Sequence, residues 1–202
     1  SPTPSRPSWV ASRQTGPVPP DPLRDLLAHP PDLPVAQGLV ELAGALGRGG
    51  TAVLQAPPGS GKTTLVPPAV ATWLGPAPAR VVVTQPRRIA ARAAASRLAH
   101  LLGEPVGESV GYAVRGDRRG GATTRVEFVT TGVLLRRLQR DPELPGVGAV
   151  VLDEVHERQL DADLTLALLV DVRRHLREDL PIVAMSATVE AERTAGLIGG
   201  GR

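Results

Sequence analysis

At 202 residues, 42% of them hydrophobic, the chain can bury the core of one ordinary α/β domain without staples. It has no cysteine, which excludes disulfides and thiolate metal sites, and its formal charge of +3 permits an anionic partner without demanding one. Its aromatic residues are Trp9, Trp73, Tyr112 and Phe128, too few for base-stacking platforms, so any grip on nucleic acid rests on phosphate and sugar.

Residues 1–20 are rich in Pro and Ser, lack apolar periodicity and read as a disordered tail before a domain spanning residues 21–198. There is no secretory apolar core and no run long enough to span a membrane, so a soluble, cytoplasmic protein is expected. Val35, Leu39, Leu42 and Leu46 then recur at helical spacing, and Gly49-Gly50 supplies a stop.

The apolar run Thr51 to Gln55 leads into Ala56-Pro57-Pro58-Gly59-Ser60-Gly61-Lys62-Thr63-Thr64 and then a potential helix. A strand, a glycine-rich turn and a helix N-terminus make a nest of N–H groups able to wrap a triphosphate. Gly59 and Gly61 allow backbone angles that a side chain would forbid. Ser60 and Thr64 complete the cradle, Lys62 can meet the β and γ phosphates, and Thr63 can offer a hydroxyl to Mg²⁺. The general pattern opens with Gly where this chain has Ala56, a small residue that suffices at a strand end. A Gly/Pro-rich turn could arise from composition alone. However, of the 23 basic residues Lys62 is the sole lysine, and it falls directly after Gly61.

The helix after the loop is expected to run to about Trp73, with a kink or restart at Pro67-Pro68. Arg80 to Thr84 reads as a buried strand, Arg88 to Leu102 as a helix, and Gly103 to Gly121 as irregular, basic chain. Then come a strand from Arg125 to Val129, a helix from Gly132 to Gln139 and a strand from Ala149 to Leu152. A helix from Asp161 to Leu176 and a strand from Ile182 to Met185 complete the series. Strands alternating with helices predict a three-layer α/β domain, its mostly parallel sheet covered on both faces and its working residues at the C-terminal strand ends.

One of those ends carries Asp153 and Glu154. Two acids closing a buried strand call for a reason, and Mg²⁺ is a sufficient one. Asp153 can hold the metal, usually through water in the general scheme of such enzymes, and Glu154 can deprotonate an attacking water.

With Val155 and His156, these acids form Asp-Glu-Val-His. The chain resembles the first RecA-like domain of a DEAH-box superfamily 2 helicase, with Val155 for the usual Ala, and is most similar to the bacterial HrpB branch. Five ordered motifs between about residues 33 and 198 carry the resemblance. These are Ala56–Thr64, Thr84-Gln85-Pro86-Arg87-Arg88, Thr130-Thr131-Gly132, Asp153–His156 and Ser186-Ala187-Thr188. It implies an ATP-dependent helicase using ATP or another NTP with Mg²⁺, and a catalytic set of Lys62, Asp153, Glu154 and His156. The implied partner is a single-stranded nucleic acid, with RNA favoured over DNA and the choice left open by the residues, held through Arg87, Arg88, Thr131 and Gly132. Ser186 and Thr188 are implied to couple nucleotide state to that grip, and Arg97 to stack on the adenine. The family's second RecA-like domain has no counterpart here, since too little chain follows Thr188. Two alternatives remain open from the residues alone: another P-loop NTPase, such as a kinase or switch, and a non-catalytic nucleic-acid-binding module. The clusters Arg115-Arg118-Arg119 and Arg136-Arg137-Arg140 read as solvated surface.

Overall fold

A computed structural model describes residues 20–75, 79–155, 160–187 and 196. In chain order the elements are α1 (Pro22–Ala28), a 3-10 turn (Pro34–Gly38), α2 (Leu39–Gly49), β1 (Thr51–Gln55), α3 (Lys62–Leu74), β2 (Arg80–Gln85) and α4 (Arg88–Leu102). They continue with β3 (Val110–Val114), β4 (Asp117–Arg119), β5 (Val126–Thr130), α5 (Thr131–Arg140), β6 (Val147–Leu152), α6 (Leu160–His175) and β7 (Ile182–Ser186).

The strands form one seven-stranded sheet in the order β1-β7-β6-β2-β5-β3-β4. All neighbours are parallel except β3 and β4, which close the far edge as an antiparallel pair. Side chains alternate across the sheet, as the pleat requires. Val81, Val83, Phe128, Val151 and Met185 face the layer formed by α3 and α4. Val82, Val129, Val150, Ile182 and Ala184 face α5 and α6. All ten are fully buried, each worth about 1.5–3 kcal/mol for its larger side chains. The expected three-layer α/β architecture is therefore present. Among the described residues no helix is long and apolar enough to cross a membrane.

Three local expectations are corrected. The span from Gly103 to Gly121 is not irregular: it contains β3 and β4, whose glycines and arginines hide an apolar core of Val110, Tyr112 and Val114. α3 runs as a single helix through Pro67 and Pro68 with no restart. The two missing N–H groups fall six and seven residues in, and both rings are buried in the layer above the sheet. Finally, α1 precedes the helix expected from Val35, and that helix itself begins as the 3-10 turn before α2. Of the tail read as disordered over residues 1–20, all but residue 20 lies outside the described residues.

α1 is short, so its place is set by contacts more than by propensity. Asp21 Oδ1 caps it by accepting the Leu23 N–H at 3.1 Å, and Leu23 is fully buried. Asp21 Oδ2 also receives Arg125 Nη1 at 2.6 Å, while Arg125 Nη2 donates to the carbonyls of Ala71 and Gly75 at 2.7 Å each. One guanidinium thus ties the first helix to the end of α3 and the entry to β5.

Candidate nucleotide and nucleic-acid site

The phosphate loop connects β1 to α3, and Gly59 and Gly61 take left-handed φ values of +77° and +89°. These angles curl the chain into α3, where the Thr64 and Leu65 N–H groups donate to the Gly61 carbonyl at 3.0 and 2.9 Å, and the amides of Lys62 and Thr63, at the first two helical positions, have no intrahelical acceptor to reach. A Cβ at Gly59 would meet nothing within 4 Å, so that side stays open to a ligand. At Gly61 a Cβ would lie 2.5 Å from Leu33 Cδ1, because the 3-10 turn braces the loop from outside. The brace includes Val35 N–H donating to the Ser60 carbonyl at 3.0 Å.

Lys62, 4% exposed, opens α3 with its Nζ 3.9 Å from Glu154 Oε1. Thr63 Oγ1 donates to Asp153 Oδ2 at 2.5 Å. Asp153 ends β6 nearly buried, and its Oδ1 accepts the Glu154 N–H at 2.9 Å. Glu154 adopts φ +57°, a left-handed conformation that costs a non-glycine residue on the order of 1–3 kcal/mol. Such strain at the carboxylate facing the only lysine marks a position held for a purpose.

Lys62, Thr63, Asp153 and Glu154 therefore meet, as the sequence predicted. β7 stands between β1 and β6 and joins their ends: the Ser186 carbonyl accepts the Ala56 N–H at 3.0 Å, and the Met185 carbonyl accepts the Val155 N–H at 3.2 Å. Ser186 is fully buried in this junction. His156 and Thr188 lie outside the described residues.

The fit of a metal can be tested on these atoms. Among the described residues no group of three or more His, Cys, Asp or Glu gathers, so a cation here must take most of its ligands from phosphate and water. That is the habit of Mg²⁺, and the hydroxyl of Thr63 and the carboxylate of Asp153 are hard oxygen donors suited to it. The buried Ser60 Oγ, between Gly59 and Gly61 in the phosphate loop, has no hydrogen-bond partner, an orphaned group in the same loop. The residues present fit an Mg²⁺-bound triphosphate.

A second hollow opens at the ends of β2, β3 and β5. Its volume is about 630 Å³, and Pro86, Arg88, Arg115, Thr130, Gly132 and Arg136 line it. Arg88 is at the N-terminus of α4, Arg115 follows β3, and Arg136 projects from α5. Three guanidinium groups from three elements converge beside helix N-termini, an arrangement suited to phosphate oxygens. Arg87 stands exposed as the N-cap of α4, and Thr131 opens α5.

The arginine clusters assigned to solvated surface divide differently. Arg115 and Arg136 belong to this hollow. Arg137 donates to the fully buried Glu127 at 2.6 Å, with Arg80 at 3.5 Å and Arg118 at 3.8 Å from the same carboxylate. Arg97 is exposed on α4. Arg92 on the same helix is committed elsewhere, 2.8 Å from Asp117 and over the Tyr112 ring.

One residue named in the sequence only as a member of Thr84-Gln85-Pro86-Arg87-Arg88, with no role of its own, also enters the first site. Gln85 Nε2 donates to Asp153 Oδ2 at 2.7 Å in a buried contact.

A phosphate loop at the end of one parallel strand, facing an acidic pair across the same sheet edge, is the build of a RecA-like P-loop nucleotide-binding domain. Residues 41–195 match the DEAD/DEAH box helicase family. The chain is 50% identical over 161 residues to the ATP-dependent RNA helicase HrpB of Escherichia coli, covering 80% of this chain and 20% of that protein. It is 39% identical over 178 residues to the human ATP-dependent RNA helicase DHX30, covering 84% of this chain and 15% of that one. The crystal structure of Escherichia coli DEAH/RHA helicase HrpB matches the fold with a TM-score of 0.76 at 49% identity, over 81% of this chain and 21% of that chain. The chain belongs to the DEAD/DEAH box helicase family. It spans about a fifth of the length of these bacterial relatives.

Proposed function

We propose that this chain is the ATP-binding half of an ATP-dependent RNA helicase, acting in the cytoplasm. On this reading it holds Mg²⁺-ATP, or another NTP, in the phosphate loop and a single RNA strand at the second hollow. The observation that carries the reading is the meeting of Lys62, Thr63, Asp153 and Glu154 at one sheet edge, with Lys62 Nζ 3.9 Å from Glu154.

Each residue has a separate task. The loop amides and Lys62 bind the β and γ phosphates and hold the terminal one in line for attack. Thr63, and Asp153 through water, hold the cation, which when bound offsets charge on the phosphate oxygens. Glu154 takes the proton of the attacking water, and His156 stands with it in the same motif. Arg97 stacks on the adenine. Arg87, Arg88, Thr131 and Gly132, joined by Arg115 and Arg136, hold the RNA backbone through charge and hydrogen bonds without reading bases. Ser186 and Thr188 connect the two sites, and a second RecA-like domain completes the motor.

The test is phosphate release from ATP, with and without single-stranded RNA, by the chain combined with a second RecA-like domain of a matching helicase. RNA-stimulated release that disappears in Lys62→Ala is expected. Release indifferent to RNA would favour a plain P-loop NTPase, and nucleic-acid binding without nucleotide binding would favour a non-catalytic module.

A further inference from the structure

The buried amide of Gln85 has no task in the scheme above, yet it touches the metal-side carboxylate and borders the other hollow. Gln85 and Asp153 are 5% and 6% exposed, and their hydrogen bond is enclosed. Asp153 Oδ2 accepts two donors at once, Gln85 Nε2 at 2.7 Å and Thr63 Oγ1 at 2.5 Å. A cation held here would take a lone pair of the Thr63 oxygen, whose proton can stay donated to Asp153, and would meet the carboxylate through water; Gln85 is the second donor that fixes how that carboxylate is aimed.

The neighbours of Gln85, along the chain and across the sheet, line the second hollow. β2 lies between β6 and β5. Thr84 is in register with Leu152, immediately before Asp153, and Gln85 itself with Thr130. Thr130 and Pro86 both line the hollow. Pro86 follows Gln85 directly, its ring fixing one backbone angle and restricting the residue before it. A shift of Gln85 is therefore passed on to Arg87 and Arg88 rather than absorbed by a flexible joint.

We propose that Gln85 is a positioning residue through which occupancy of the Thr63–Asp153 site changes the grip of the Arg88–Gly132 hollow on a nucleic-acid backbone. The inference rests on the function proposed above and assigns a link between its two sites. Such a link is reciprocal: nucleic acid tightens or loosens Mg²⁺-nucleotide by the same factor as nucleotide does nucleic acid.

The experiment measures the dissociation constant of the chain for a fluorescent, non-hydrolysable ATP analogue with Mg²⁺, with and without saturating single-stranded oligouridylate. The ratio of the two constants is the readout, so a uniform change in nucleotide affinity cancels. The wild-type chain is expected to give a ratio of at least about fivefold, the lower end of ordinary coupling. Gln85→Met keeps the length of the side chain but not its N–H, and is expected to lower the ratio at least about twofold, Ser186 and Thr188 carrying what coupling remains. Gln85→Asn keeps an amide but withdraws it from Asp153. It gives the same result should the methionine variant melt early.

A wild-type ratio retained in either folded variant overturns the proposal, because a merely structural Gln85 would leave the ratio intact. So does a wild-type ratio of one when both ligands bind. A wild-type chain that binds neither ligand instead overturns the proposed function, a result distinguishable from any produced by the Gln85 variants.

Discussion

Lys62 is the only lysine in the chain, and its ammonium is buried at the loop's mouth facing Glu154. Lys62→Ala removes the charge that meets the β and γ phosphates, and a titration with a fluorescent ATP analogue should show binding weakened at least about tenfold, the equivalent of one charge-assisted hydrogen bond. Glu154→Gln keeps the shape of the carboxylate and cannot accept water's proton. In the two-domain assembly it should bind nucleotide as wild type does while hydrolysis falls by about 10²–10⁴. Both positions were legible in the sequence because their chemistry is local: a loop of fixed spacing, and a strand that ends in acid. The Gln85–Asp153 bond was not. It depends on β2 lying beside β6, and residues 68 apart in sequence carry no mark of that pairing.

Among the elements, β5 and α5 depend most visibly on a buried ion cluster. Burial pushes the Glu127 carboxyl up, but the hydrogen bond and charge of Arg137, with the charges of Arg80 and Arg118, outweigh it and hold the group below its ordinary value of 4.5. A carboxylate depressed on folding contributes stability that is fully present above the ordinary value and drains as pH falls through the folded one. Thermal melts of the wild type should therefore lose stability progressively below pH 4.5. Glu127→Gln should be less stable at neutral pH by about 1–3 kcal/mol, since three arginines lose a shared partner but are themselves partly solvated. Its deficit should shrink as the solution is acidified, and a deficit constant with pH would contradict the assignment. The alternation of strands and helices was readable from apolar runs, and most boundaries fell within a residue or two. The hairpin of β3 and β4 was not readable, because Gly111 and the flanking arginines mask its buried Val110, Tyr112 and Val114. α1 was missed although Asp21 before Pro22 is a helix-start signal, since the helix is only 7 residues long.

As a whole, the molecule presents both candidate sites along the C-terminal edge of one sheet, and the matched residues make up about a fifth of the bacterial relative. In other phosphoryl-transfer systems an arginine supplied from a facing partner is worth about 10³–10⁵ in rate. Residues 1–202 alone should therefore bind Mg²⁺-nucleotide weakly and hydrolyse it near background, and adding the second RecA-like domain of a matching helicase should restore RNA-stimulated turnover. Unwinding by the isolated chain, absent in its Lys62→Ala variant, would refute that division of labour. The sheet order has one more consequence. Among the described residues β1 pairs with β7 alone, so the phosphate loop hangs from an outermost strand while its acidic counterpart ends an interior one. Backbone amides at such a margin open in small excursions that leave the interior shut. Amide deuteration at Thr51–Gln55 should consequently outpace that at Val147–Leu152 in the empty protein, and Mg²⁺-nucleotide should slow the former far more than the latter. The rim strand would then serve as a built-in clock of occupancy, readable by mass spectrometry without a label.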